Sequence, residues 1–174
     1  MQIRTSTTDD SEAIRNVHLD AFSTAEGPEV AELALKLLQD PTAEPKLSLV
    51  AEEHGKLIGH VLFTAATIAN HEQLATQIMA PLAVAPEQQC KGIGTRLIET
   101  GLQGLRDNGT QIVLVYGDPN YYSRTGFSTE HHIAAPYALE HPHGWMAQAL
   151  VAGALTNIEG KLSCADALST PEHW

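Results

Sequence analysis

A chain of 174 residues has the length of one compact domain with its own core, and it is read as a single domain over 1–174. Its formal net charge of -11 argues against general binding to nucleic acid or an anionic membrane, because 21 acidic residues outweigh 10 basic ones. Any phosphate site therefore has to be local.

The opening "MQIRTSTTDDSEAIRNV" has no apolar core of a leader, and no stretch has the 18 or more apolar residues of a membrane span, so the chain reads as cytoplasmic. Cys90 and Cys164 lie far apart without CxxC spacing, which gives no reason for a disulfide or a zinc site.

In chain order, "QIRTS" alternates as a short strand. Asp9 and Glu12 then stand at capping-box spacing ahead of Ile14, Val17, Ala21 and Phe22, which predicts an amphipathic first helix. Pro28 near the first position of a second helix precedes Val30, Leu33, Ala34, Leu37 and Leu38 at helical spacing, and "DPTAEP" stops it.

"LSLVAEEHGKLIGHVLFTAATI" reads as a hairpin turning at His54 and Gly55, with Gly59 marking a bulge or a close backbone approach. Another strand runs from Gln77 to Val84, distorted by Pro81, which has no N–H to give a ladder. Ile93, Leu97, Ile98, Leu102 and Leu105 form one apolar helical face, ended by Asn108-Gly109. "QIVLVY" is a buried strand, so strand, helix and strand form a βαβ unit with a parallel pair inside a mixed sheet. "GDPNYYSRTGF" follows as a turn, one or two helical turns and a strand entry. "WMAQALVAGAL" fits strand or helix, and Gly144, Gly153 and Gly160 favour short strands.

Gly92 and Gly94 sit where the helix after Val84 begins. A helix start presents unpaired N–H groups and a partial positive charge, and glycine removes the Cβ that would keep a phosphate away. Lys91 and Arg96 add local positive charge. GxxxxGK[ST] is absent, and GxGxxG fails because Leu97 stands where the third glycine would be.

The pattern that does match is Q/R-x-x-G-x-G/A, from Gln89 through Cys90, Lys91, Gly92 and Ile93 to Gly94, between a strand and a helix. With "GKLIGHVLF" before it and "YYSRTGF" after it, the whole chain resembles the GNAT superfamily of acyl-CoA-dependent N-acetyltransferases. It is similar to a bacterial subgroup carrying "APLAV", "GDPxYYxRxGF" and a Gly-rich tail.

The resemblance implies an α/β fold of α+β type: a mixed, mostly antiparallel sheet with a splayed parallel pair, flanked by helices. It also implies acetyl-CoA as cosubstrate, with backbone groups of Leu82 and Val84 on the acetyl-pantetheine end. Gln89, Cys90, Lys91, Gly92, Ile93, Gly94 and Thr95 would hold the pyrophosphate, and Asn120 would be a further coenzyme contact or simply a residue that the Asp-Pro-Asn turn needs. Position 90, often glycine in the family, is cysteine here.

Tyr122, four residues before Gly126, holds the family position of the tyrosine that protonates the leaving thiolate. Tyr121 reads as a packing aromatic. Glu26, Glu29, His71, Glu72, His131 and His132 all border the implied acceptor side, and a solvent chain serves equally as base. His141 and His143 have no third spaced ligand, so no metal is expected. The partners implied are a coenzyme A thioester and an amine acceptor, with the chain a monomer or homodimer. The alternative is an acyl-CoA-binding sensor or interaction module that uses the same cleft without turnover.

Overall fold

The computed structural model describes residues 1–174. Its elements in order are β1 (Gln2–Thr5), α1 (Ser11–Ala21), α2 (Gly27–Gln39), β2 (Leu47–Glu53), β3 (Lys56–Ile68), β4 (Thr76–Val84), α3 (Ile93–Asp107), β5 (Ile112–Tyr116), α4 (Pro119–Tyr122), β6 (His132–Ala134), β7 (Trp145–Ala149) and β8 (Glu159–Cys164). No helix is long and apolar enough to cross a membrane.

The sheet runs β1-β2-β3-β4-β5-β7 and is antiparallel except where β5 lies parallel to β4. The 13-residue β3 carries two neighbours along one edge, β2 up to Phe63 and then β8 over Ala66–Ile68. The short β6 lies parallel to β8.

Alternation along the strands covers both faces of this sheet, as expected for strands buried on both sides. Val61, Phe63, Val113 and Val115 turn toward α3, packing with Ile93, Leu97, Ile98, Leu102 and Leu105. Leu62, Ile112 and Leu114 turn the other way, against Leu33 and Leu37 of α2.

His54 and Gly55 both have positive φ, 51° and 74°, and close the β2–β3 hairpin where the sequence predicts its turn. Gly59 combines both predicted roles. The β2–β3 register shifts beside it, and a Cβ there would stand 2.9 Å from Leu97 Cδ1, so α3 sits directly on the strand. The ambiguous "WMAQA" is strand β7, because Ile112–Tyr116 offers it a complete antiparallel ladder.

The expected cap at Asp9 and Glu12 is not the one formed. Arg4 grips Asp10 through two hydrogen bonds of 2.8 and 2.9 Å, and Asp10 Oδ2 accepts the Thr7 N–H at 2.7 Å. Asp10 thus closes a capping box with Thr7 over the short turn Thr8–Asp10, and α1 itself begins without a side-chain cap.

Helix α1 is tied to the sheet by a buried polar chain. His18 Nε2 and His60 Nδ1 lie 2.8 Å apart, His60 Nε2 is 2.9 Å from Ser48 Oγ, and the Ser6 hydroxyl donates to Ser48 Oγ at 2.6 Å. Both rings are fully buried, and His18 Nδ1 has no hydrogen-bond partner. Burial disfavours the charged form, pushing His18 down to about 4. His60 also falls, through burial first and then repulsion from His18.

Unfolding restores an ordinary histidine near pH 6.5, so below that pH the unfolded chain binds protons that the folded one refuses. Stability should therefore fall as pH drops from 7 to 4.5, by up to about 1.4 kcal/mol per pH unit for each such histidine. Urea unfolding across that range measures it. A flat profile would contradict the neutral buried pair.

Candidate functional site

Strand β4 and strand β5 pair only over Thr76–Ile78 and Ile112–Leu114. Beyond Ile78, β4 continues to Val84 on β3 alone, its ladder there interrupted between Val61 and Phe63 opposite the buried Pro81. β5 continues to Tyr116 on β7. The edge of β4 from Met79 to Val84 thus has no strand partner on its β5 side, and a gap opens between the two.

At the end of β4 the chain makes one short turn, Pro86–Gln88, held by Gln89 Nε2 donating to the Val84 carbonyl at 3.0 Å. Cys90 and Gly92 then adopt positive φ, 61° and 81°, and α3 begins at Ile93 without a side-chain cap. The result is a run of six backbone N–H groups, Cys90 to Thr95, that make no hydrogen bond within the protein. The first to do so is Arg96, to the Gly92 carbonyl at 3.0 Å. Aligned at the positive end of a 15-residue helix, they form a site for an anion.

The two glycines serve different ends. A Cβ at Gly92 would meet nothing within 4 Å, so that position requires its backbone angle and leaves the loop face open. A Cβ at Gly94 would run into the hydroxyl of Tyr121, so Gly94 admits a protein side chain to the helix start.

Of the residues predicted from sequence, Leu82, Val84, Gln89, Cys90, Gly92, Ile93, Gly94 and Thr95 line one cleft of about 530 Å³. Lys91, Asn120 and Tyr122 do not line it. Lys91 is turned onto its own loop, with Nζ bonded to the Glu87 carbonyl at 2.9 Å and to Gln88 Oε1 at 3.2 Å. Arg96 also stands outside the wall, and Arg124 supplies the cleft's positive charge instead. Phe22 and Tyr121 were missed as wall residues. For Arg124, the one basic residue of "YYSRTGF", the sequence offers a phosphate contact or an ordinary solvated charge, and the structure puts it in the wall.

Tyr121 and Tyr122 meet edge to face with ring centroids 5.0 Å apart. Tyr121 faces the cleft. The ring of Tyr122 fills the space that the missing side chain of Gly117 leaves at the end of β5, and packs edge-on against Phe127 at 6.1 Å. Its hydroxyl makes no hydrogen bond within the protein. Burial raises the affinity of both phenols for their protons, more strongly for Tyr122, where Tyr121 and Asp118 add to the effect.

No carboxylate or imidazole lines this cleft. Among the candidate bases, Glu26 lines a second cavity, Glu29 pairs with His173 at 3.7 Å, and Glu72 accepts the Asn70 N–H at 3.1 Å. His131 shares a hydrogen bond with the Trp145 carbonyl at 3.0 Å, while His71 lies in the β3–β4 turn and His132 on β6.

The family described as Acetyltransferase (GNAT) domain matches residues 2–129. The chain is 43% identical over 167 residues to the uncharacterized N-acetyltransferase YjhQ of Escherichia coli K12, spanning 91% of this chain and 90% of that one. Among solved structures, the N-acetyltransferase YhbS of Escherichia coli in complex with CoA superposes with a TM-score of 0.88 at 27% identity, covering 97% of this chain and 92% of that one. A GNAT family acetyltransferase from Brucella melitensis in complex with acetyl-CoA superposes at 0.71 and 29% identity, covering 96% and 97%.

The left-handed backbone at Cys90 costs an L-residue about 1–2 kcal/mol, partly offset by the greater chain entropy glycine loses on folding. Cys90→Gly should therefore raise stability by up to about 1 kcal/mol, read as a higher urea midpoint. A lower midpoint would contradict the account of this loop.

Proposed function

Since this chain belongs to the GNAT family of N-acetyltransferases, we propose that it transfers the acetyl group of acetyl-CoA to a primary amine of a small molecule or peptide by direct attack, as a single domain. The observation that carries this reading is the run of free N–H groups from Cys90 to Thr95 facing a cleft that continues into the strand gap. The loop suits a pyrophosphate, and Arg124 adds a charged contact. The apolar side chains of Leu82 and Val84 suit the pantetheine arm, whose amides find the unpaired backbone edge of β4.

In the transfer, the nitrogen lone pair of a neutral amine forms a C–N bond at the thioester carbonyl, and negative charge moves to the carbonyl oxygen. Backbone N–H groups of β4 stabilise that oxygen. Collapse breaks the C–S bond, the thiolate departs, and the nitrogen gives up its extra proton.

Tyr122 is assigned to the thiolate. It holds the family position, its hydroxyl has no partner in the protein, and its raised proton affinity keeps it a donor at neutral pH. Such a phenol binds its proton more tightly than a thiol does, so it stabilises the thiolate by hydrogen bonding, and solvent completes the protonation. With no base in the cleft wall, the amine's proton leaves toward the acceptor side.

Thiol release with an amine panel, together with calorimetry of acetyl-CoA binding, tests this. Tyr122→Phe should keep coenzyme affinity and lower turnover by about 10²-fold. Arg124→Gln should weaken coenzyme binding by about tenfold with little change in turnover at saturation. If Tyr121→Phe lost turnover and Tyr122→Phe did not, the hydroxyl that stabilises the thiolate would be that of Tyr121. Coenzyme binding without thiol release from any amine would favour a sensor.

A further inference from the structure

A second cavity, of about 800 Å³, lies at the carboxyl end of β5, lined by Tyr116, Gly117 and Asp118. The α1–α2 connection spans both cavities, sending Phe22 into the coenzyme cleft and Glu26 into this one. The coenzyme cleft takes the β4 side of the strand gap, with Leu82, Ala83 and Val84 in its wall, and this cavity takes the end of β5.

Its walls are built and held. The rings of Tyr116 and Trp174 stack 6.3 Å apart at 13°, and Trp174 leans edge-on against Trp145 at 5.5 Å. Trp174 Nε1 donates to the Leu168 carbonyl at 2.9 Å, and the Tyr116 hydroxyl accepts the His141 N–H at 3.0 Å. Gly117 N–H donates to the Gly144 carbonyl at 3.0 Å, which ties the β5 end to the facing loop. A volume of this order suits a small molecule.

Four carboxylates line it, Glu26, Asp118, Glu140 and Glu172, beside three histidines, His141, His143 and His173, and no lysine or arginine does. Asp118 is engaged with the Asn120 N–H at 2.9 Å, whereas none of the three glutamates is paired with a cation. Aromatic faces beside unpaired carboxylates receive cations and the methylenes between them.

We infer that this cavity is the acceptor site, and that it selects a small linear polyamine, an aliphatic amine carrying at least one further cationic nitrogen. This rests on the N-acetyltransferase reading given above. One nitrogen reaches the strand gap, where Glu26 and the end of β5 meet, and the others lie among Glu140, Glu172 and the Tyr116–Trp174 wall. The chemistry supplies the selectivity, because a lone alkylamine spends its single charge at the reacting end and leaves the remaining carboxylates unanswered.

Calorimetric titration of spermidine and of n-butylamine into the CoA-saturated protein tests the inference without needing turnover. Spermidine should bind at least tenfold more tightly than n-butylamine. The double variant Glu140→Gln, Glu172→Gln should lose that advantage while coenzyme affinity stays the same. Equal binding of the two amines, an undiminished preference in the variant, or tighter binding of a lysine-containing peptide than of spermidine would overturn it. Absence of CoA binding at the outset would instead strike the coenzyme reading on which it rests.

Discussion

The structure turns on strand β4 parting from β5 after Ile78. Up to that point the parallel pair is an ordinary buried ladder with Ile78, Ile112 and Leu114 in the core. Past it, β4 keeps β3 on one side and exposes backbone on the other, so the centre of the sheet becomes a binding edge. The chain reaches α3 only a few residues later, which places the uncapped helix start at the mouth of that edge. One divergence thus sets an unpaired backbone edge and, next to it, the free N–H groups of a helix start.

Leaving six N–H groups without protein partners is tolerable because Cys90 to Gly92 are exposed and Ile93, Gly94 and Thr95 line the open cleft, so that water can serve them. The rest of α3 compensates, with its apolar face fully engaged by Val61, Phe63 and their neighbours. The helix start is held firmly where a ligand needs it, and the positive end of a peptide dipole works locally in a protein whose overall charge is -11.

Much of this was legible in the sequence where the determinants are local. The face of α3, the His54–Gly55 turn, the distorted strand at Pro81 and the glycine loop all follow from spacing a few residues long. The carboxyl-terminal part was not. β7 is specified by its ladder with β5 and β8 by its pairing with β3 and β6, partners far away in the chain, and each strand is too short to show a period. Side-chain direction escaped for a similar reason. Lys91 sits in the phosphate-type loop yet bonds back to Glu87 and Gln88, and which ring of the Tyr121–Tyr122 pair faces the cleft depends on Gly94 and Gly117. The His18–His60 contact joins residues 42 apart and leaves no sequence signature.

The central claim is that the backbone from Cys90 to Thr95 is the coenzyme's phosphate site, and backbone amides report on it directly. In a titration of the nitrogen-15-labelled protein with coenzyme A, followed by amide proton–nitrogen correlation spectra, these six resonances should move most and become protected from hydrogen exchange. Resonances of the loop at 140–144 should stay nearly unchanged. Shifts confined to that loop, with the Cys90–Thr95 amides unmoved at saturation, would contradict the account.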